Sequence, residues 1–369
     1  MHVAAIKNGR PPDKRDRVVN DLRERIVAGN LAPGARVASQ KELEKRHKAS
    51  SDTVQDAMRV LREDGFIESQ LRRGTFVAPH PPHVSQFAFA FPFSPDQQPQ
   101  HFFWAIRAEV ERWQRPACHV QSFFDMDAAV STKDYQRLLR YVQSDRLAGL
   151  VFVSHPFVLR HRKSPITGRL GLPRVMIELD VDKGGFPAVY PDTPAFIPKA
   201  FDYLAMCGCK RVAVVNISTV NRELEMTRVP KLAAERGLLV KPQWLQAVPA
   251  ELGPWIQQLG RLLVQGAPGE RPDGLVIADD NLVPQLTAGL ALSGVKVRAY
   301  GELGQPGDLV VVAHTNFPYP TPSAVPVTRL GYDVPKLVGI CMELLDQQRR
   351  GETPPPLTLL PAIFEGDLN

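Results

Sequence analysis

Between Lys14 and Val77 the chain alternates short amphipathic stretches with capping residues so tightly that few folds can accommodate it. Val18, Leu22 and Ile26 recur at four-residue spacing, so a first helix over 14–28 shows one apolar face, with Arg15, Arg17, Arg23 and Arg25 left in water. Gly29 then supplies a left-handed stop. Ala32-Pro33-Gly34-Ala35 is a turn, after which Ser39-Gln40-Lys41-Glu42 forms a capping box opening a short helix that buries Leu43. Ser50 or Ser51 caps a third helix whose buried stripe is Val54, Ala57, Met58 and Leu61, ended by Asp64-Gly65. Ser51, Asp52, Gln55 and Arg59 are then left facing outward. Phe66-Ile67-Glu68 and Thr75-Phe76-Val77 are short strands around a hairpin tip bearing Arg72 and Arg73. Three helices followed by a two-stranded wing make a winged helix-turn-helix.

In order and spacing, LRERIVAGNLAPGARV (22–37), SQKELEKRHKASSDTVQDAMRVLREDGFIES (39–69) and RGTFV (73–77) resemble the GntR family of bacterial transcription regulators. The resemblance implies a DNA-binding domain that lays its third helix in the major groove and its wing tip in the minor groove, as a dimer on a pseudo-palindromic operator. Carried over residue by residue, it places Arg36, Ser39, Lys41, Ser50, Ser51, Thr53, Gln55, Arg72, Arg73 and Gly74 at the DNA. The family commonly has arginine where this chain has Lys41, Ser51 and Gln55. Arginine characteristically reads guanine and glutamine adenine, so the reading surface has changed its code.

Charge agrees with that placement. Residues 1–78 hold 16 Lys/Arg against 11 Asp/Glu, which is five of the six net positive charges of the 369-residue chain. Such an asymmetry suits a phosphate-binding module joined to a nearly neutral partner domain. A chain of this length can bury two or three domain-sized cores. Its 44% hydrophobic and 23% charged residues are those of a soluble globular protein. No apolar run reaches the roughly 18 residues of a membrane span, and no signal peptide is evident, so no membrane partner is expected. Cys118, Cys207, Cys209 and Cys341 fit neither a disulfide framework nor a zinc knuckle, and a reducing cytoplasm fits best.

The expected organisation is a flexible terminus over 1–12, the winged domain over 13–78, a linker over 79–85 and a ligand-binding domain over 86–369. Pro79, Pro81 and Pro82 suit an extended, semi-rigid linker, with His80 and His83 solvated rather than metal-bound. Arg160-His161-Arg162-Lys163 is read as an exposed basic loop. From Gln86 onward strands and helices alternate. Strands are expected at 87–93, 119–124, 150–153, 175–179, 212–217, 244–248, 275–278 and 309–313. Helices are expected at 102–113, 135–144, 194–207, 225–236, 255–264 and 281–292. This is the signature of α/β architecture with parallel sheets.

Four stretches in this region, FDYLAMCGCKRVAVVN (201–216), RPDGLVIADDNLVPQLTAGLALSGVKV (271–297), DLVVVAHTNF (308–317) and VTRLGYDVPKLVGICMELL (327–345), resemble the sensory domain of LacI/GalR repressors, itself similar to periplasmic sugar-binding proteins. The combination is similar to the arabinose-repressor type, in which a GntR head replaces the LacI head. The resemblance implies two α/β lobes, a small sugar-like effector and a homodimer.

Parallel sheets bind ligands at the carboxyl ends of their strands. Asp180, Asp279, Asp280 and Asn316 follow or end such strands, and carboxylates and amides suit sugar hydroxyls. The resemblance puts Asp180 and Asp279 at ligand-contact positions, with Asp280 and Asn316 beside them. The family usually has Asn then Asp where Asp279-Asp280 stands. Each has a plainer alternative: Asp280 as a helix cap, Asp180 as a turn residue. Trp104 is either an aromatic wall for a sugar ring or a packing residue; Arg222 and Arg228 lie near a loop from which the family presents an arginine, and Arg228 is taken. Cys207-Gly208-Cys209 reads as turn packing rather than redox chemistry.

No Gly-x-Ser-x-Gly elbow, P-loop, Gly-x-Gly-x-x-Gly fingerprint or His-Glu-x-x-His helix is present, so neither an enzyme nor a bound cofactor or metal is expected. The expectation is a ligand-responsive regulator that represses carbohydrate catabolism. The competing expectation is a regulator with a non-sugar ligand or weakened DNA binding.

Overall fold

The computed structural model describes residues 13–94, 100–113, 115–126, 132–153, 164–178, 185–218, 226–267, 269–298 and 308–368. Asp180, Arg222, the basic run 160–163 and the terminus 1–12 lie outside them.

The amino-terminal head contains α1 (Lys14–Val27), α2 (Gln40–His47), α3 (Ser51–Glu63), β1 (Ile67–Gln70) and β2 (Gly74–Val77). Val18 and Leu22 of α1, Leu43 of α2, and Val54, Ala57 and Leu61 of α3 converge with Phe66 in one fully buried core. Local chemistry sets the ends. Ser39 and Glu42 form the reciprocal capping box, and Ser50 rather than Ser51 caps α3, its Oγ accepting from the Thr53 N–H at 3.3 Å. Ala28 lies just beyond α1, and Gly29 at φ +77° turns the chain away. β1 and β2 pair antiparallel from Ile67↔Val77 to Gln70↔Gly74, a longer ladder and a shorter tip than expected. The segment after α1 runs along β2, with Val37 N–H donating to Thr75 O at 2.9 Å.

Two expectations about this region need correction. Arg23 is not in water: it is 8% exposed, with its guanidinium 5.5 Å from the Phe66 ring centre. Burial lowers its pKa, an effect that Asp64 opposes. The linker after the wing is not extended throughout either: Pro79 and His80 are exposed, but the chain then turns inward. Pro82–Ser85 forms one helical turn, with Pro81, Pro82 and Ser85 buried and the Ser85 hydroxyl donating to His80 O and Pro81 O, each at 3.0 Å. His83 stacks on Phe66 at 6.0 Å. Proline at the first helical position is pre-set for such a turn, and its apolar ring gains from burial.

The chain forms two compact units, neither continuous in sequence: Met1–Ala90 with Trp113–Phe152 and Pro156–Arg174, and Phe91–Arg112 with Val153–His155 and Val175–Asn369. In the first, parallel strands Gly149–Phe152, Gln86–Ala90 and His119–Phe123 lie side by side, with Gln86–Ala90 buried throughout. The head is tied to this α/β part by Asp64, just past α3. Its two oxygens accept from Arg23 Nη2 at 3.0 Å and from Arg146 Nη1 at 2.9 Å. Arg146 follows helix Lys133–Gln143 and stacks 4.1 Å over Tyr141.

In the second unit, strands run in the order Ile363–Phe364, Thr328–Asp333, Val310–Phe317, Gly274–Ile277, Val212–Ile217, Leu245–Val248, all parallel except the first. A second parallel set pairs Met176↔Ala188 and Leu357↔Ala188. Strands Ala188–Pro191, Leu357–Leu360 and Ile363–Phe364 were not expected; each is two to four residues long and bounded by proline, glycine or acidic residues. Helices Gly253–Leu263 and Val283–Ser293 cross at Gly260 and Gly289, whose bare α-carbons let the backbones touch. Cys209 is buried beyond the tight turn at Gly208 (φ +83°), and burial raises its thiol to about 12, which accords with turn packing. Among the described residues no helix is long and apolar enough to cross a membrane.

Candidate ligand cavity and nucleic-acid interface

On the head, α3 presents Ser51, Gln55 and Arg59 to solvent, and Lys41 is exposed on α2. Several of the expected DNA residues already have partners. Gln40 Nε2 donates to Ser51 Oγ at 2.6 Å, and Ser50 and Thr53 share a hydroxyl contact of 2.8 Å. The Ser39 N–H and Oγ both donate to Glu42, which pulls its carboxyl below the usual range. Arg59 is paired with Glu63 at 2.9 Å. At the wing, the Arg36 guanidinium rests against Gly74 and that of Arg73 lies 5.8 Å from the Phe76 ring centre.

The second unit holds a cavity of about 330 Å³ at the carboxyl ends of its parallel strands. Ile177 and Glu178, Ile217, and Asp279 to Asn281 each stand at or just beyond a strand's end, with Phe102 and Phe103 supplying an aromatic side. His314 and Asn316 enter from the strand Val310–Phe317.

A buried polar network organises the wall. Asp280, 1% exposed, has Oδ2 2.7 Å from His101 Nδ1 and accepts there from Asn316 Nδ2, also at 2.7 Å; His314 Nδ1 is 3.7 Å from Oδ1. The His101 N–H donates to Asn281 Oδ1 at 3.0 Å, and Asn281 in turn donates its backbone N–H and Nδ2 to Asp279 Oδ1. Burial works against the Asp280 charge, but its contacts with His101 and His314 outweigh that and hold its carboxyl well below the ordinary range. Burial, reinforced by the neighbouring Asp280 charge, raises the Asp279 carboxyl instead. One carboxylate is therefore fixed and ionised, and its neighbour gives up its proton reluctantly. Asn316 Oδ1 and His314 Nδ1, from two residues that line the cavity, are buried without a hydrogen-bond partner among the described residues. A ligand with several hydroxyls can both donate to and accept from such groups.

The structure brings Asp279, Asp280 and Asn316 to one cavity: the two aspartates stand just beyond a strand's end, whereas Asn316 projects from within the strand Val310–Phe317 instead of following it. It does not bring Trp104 to the cavity. Trp104 is 43% exposed and stacks on His101 at 5.4 Å, one helical turn away, while Phe102 and Phe103 occupy the wall. Arg228 is exposed just before helix Val229–Ala234 and does not line the cavity. Asp280 does not cap the next helix; its carboxylate is committed to His101 and Asn316. His101, Glu178, Asn281 and His314 escaped sequence reasoning. A histidine inside an apolar strand was the one available signal.

The Asp279 shift makes a pH prediction. A carboxyl whose folded pKa lies above its unfolded value costs no stability while protonated in both states; the cost grows as pH rises toward the folded pKa and is complete above it. Asp279→Asn keeps an acceptor for Asn281 and removes that cost. Chemical denaturation of this variant is expected to show a stability gain at neutral pH that shrinks on acidification, and a gain independent of pH would refute the assignment.

Residues 14–77 match the family model described as bacterial regulatory proteins, gntR family. Among solved structures, a LacI family transcriptional regulator from Lactobacillus casei with bound glucose is 19% identical, with a TM-score of 0.54, covering 76% of this chain and 98% of that one. One from Bifidobacterium animalis subsp. lactis is 12% identical, with a TM-score of 0.54, covering 76% and 95% respectively. No curated protein matches. The class defined is a DNA-binding head on an α/β, LacI-like periplasmic-binding-protein-like fold. The head is a GntR-family winged helix-turn-helix.

Proposed function

We propose that this protein is a ligand-responsive transcription repressor of carbohydrate catabolism, working in the cytoplasm as a homodimer on a DNA operator and released by a sugar-like effector. The observation that carries the proposal is the cavity at the strand ends, walled by Asp279, the Asp280–His101–Asn316 network and Phe102–Phe103. Several polar groups beside an aromatic face suit a polyol ring, and the volume is at the small end for ligand pockets. The bound glucose of the Lactobacillus casei regulator supports a sugar as the class. Asp180, three positions after Ile177 in the sequence, is proposed as a further contact.

In this scheme the effector favours one of two pre-existing conformations, and the two heads match the operator half-sites only in the other. A ligand that binds native protein alone raises its apparent stability, so thermal shift against pentoses, hexoses, uronates and nucleosides identifies the effector class. Asp279→Ala or Asp180→Ala is then expected to weaken that effector at least about tenfold, the equivalent of roughly 1.5 to 3 kcal/mol for a charged hydrogen bond, while leaving operator binding intact. Unchanged affinity in both variants would sink the effector site.

A further inference from the structure

The wing carries an apolar side chain that the fold does not use. Leu71, at the tip between β1 and β2, is 90% exposed, and Arg72 and Arg73 follow it directly. An isolated surface leucine is ordinary; its setting here is not. The ladder closes at Gln70↔Gly74 and Arg73 N–H donates to Gln70 O at 3.1 Å, so the tip is only three residues long. Arg72 sits at φ +61°, a left-handed backbone that side chains rarely adopt. Gly74 sits at φ +111°, and a Cβ there would come within 3.2 Å of Arg36 Nε. The guanidinium groups of Arg36 and Arg73 are thus drawn back along the hairpin, against Gly74 and Phe76. Leu71 keeps almost its whole surface in solvent.

An exposed apolar tip on a hairpin that also carries Arg72 and Arg73, with Arg36 against Gly74, fits a narrow, negatively charged groove whose floor is base pairs. We propose that Leu71 is a minor-groove wedge: it presses against or partly between two base pairs and bends the operator toward the major groove, while Arg36, Arg72 and Arg73 hold the flanking phosphates. Pyrimidine–purine steps unstack most readily, so the wedge would give the operator a TA or CA/TG preference where no side chain reads a base edge. The inference rests on the head binding duplex DNA.

The test uses the full chain and an operator selected by wild type from a random library. 2-Aminopurine is placed at successive steps under the wing, and bending is measured from end-to-end energy transfer. Wild type is expected to raise 2-aminopurine emission at one step and to bend the duplex. Leu71→Gln, at a position with no packing to lose, is expected to abolish both signals and weaken binding about tenfold with an unchanged salt slope. Arg73→Ala is expected to keep the bend and lower the slope by about one unit, the signature of one lost phosphate. An operator that stays stacked and straight with wild type, or is bent equally by Leu71→Gln, overturns the wedge while leaving DNA binding in place. A wild type that enriches no sequence overturns the DNA reading, and the wedge with it.

Discussion

Asp64→Ala is expected to lower the stability of the first unit by about 3 kcal/mol, the scale for stripping the counter-ion from a buried charge. The site meets the conditions for so large an effect. Arg23, Asp64 and Arg146 side chains are only 10%, 17% and 20% exposed, so solvent screening relieves little of the loss. Each Asp64 oxygen serves a different arginine, and deletion leaves both cations without it. Arg146→Ala should cost less, because Asp64 keeps Arg23. Urea denaturation followed by a head-specific probe, together with the Arg23→Ala, Asp64→Ala double cycle, gives the coupling. A cost below about 0.5 kcal/mol would mean that the cluster behaves as an exposed ion pair. Because Asp64 lies just past α3, operator affinity should fall in parallel.

Gly289→Ala sets two effects of opposite sign against each other. By helix propensity alone, alanine should stabilise this helix by about 1 kcal/mol. Its Cβ, however, would lie 2.0 Å from Gln257 O and 3.1 Å from Gly260 Cα, both backbone atoms that no rotamer change can move aside. Overpacking of this kind costs about 1 to 3 kcal/mol or more, and here the whole helix pair must separate to accept it. The expected result is a net loss of about 2 kcal/mol, read as an earlier unfolding midpoint. Gly260→Ala, with its Cβ 2.4 Å from Leu286 O, should behave alike. An increase in stability in either variant would show that the helices already stand further apart.

The head was legible because its information is local. Spacing of Val18, Leu22 and Ile26, the Ser39–Glu42 box and Gly29 act within one or two turns, and the structure adjusts their boundaries by a residue or two. Where a distant group intervened, the sequence misled. Arg23 sits on the polar side of a plausible helical wheel, yet Asp64, 41 residues away, draws it into the interior. The proline run read as an extended linker with solvated histidines, yet Pro82–Ser85 forms a helical turn and His83 stacks on Phe66.

The second unit divides in the same way. Strand ends are visible as the junction between an apolar run and its first carboxylate, which is why Asp279 and Asp280 could be named from sequence. The strand ending at Phe317 was expected to stop at Ala313, because His314, Thr315 and Asn316 look like a loop. They belong to a buried strand, held by the ladder from Val312↔Thr328 to Phe317↔Asp333. What residue order alone determined is what short-range forces control: the helix caps, the amphipathic faces, the wing and the alternation of strand and helix. Only the tertiary structure decided that His101, 179 residues before Asp280, would share its charge, and that Phe102 and Phe103 rather than Trp104 would face the cavity. Burial makes an unpaired carboxylate costly whatever its neighbours in sequence, so its partner is whichever side chain the packed elements bring within reach.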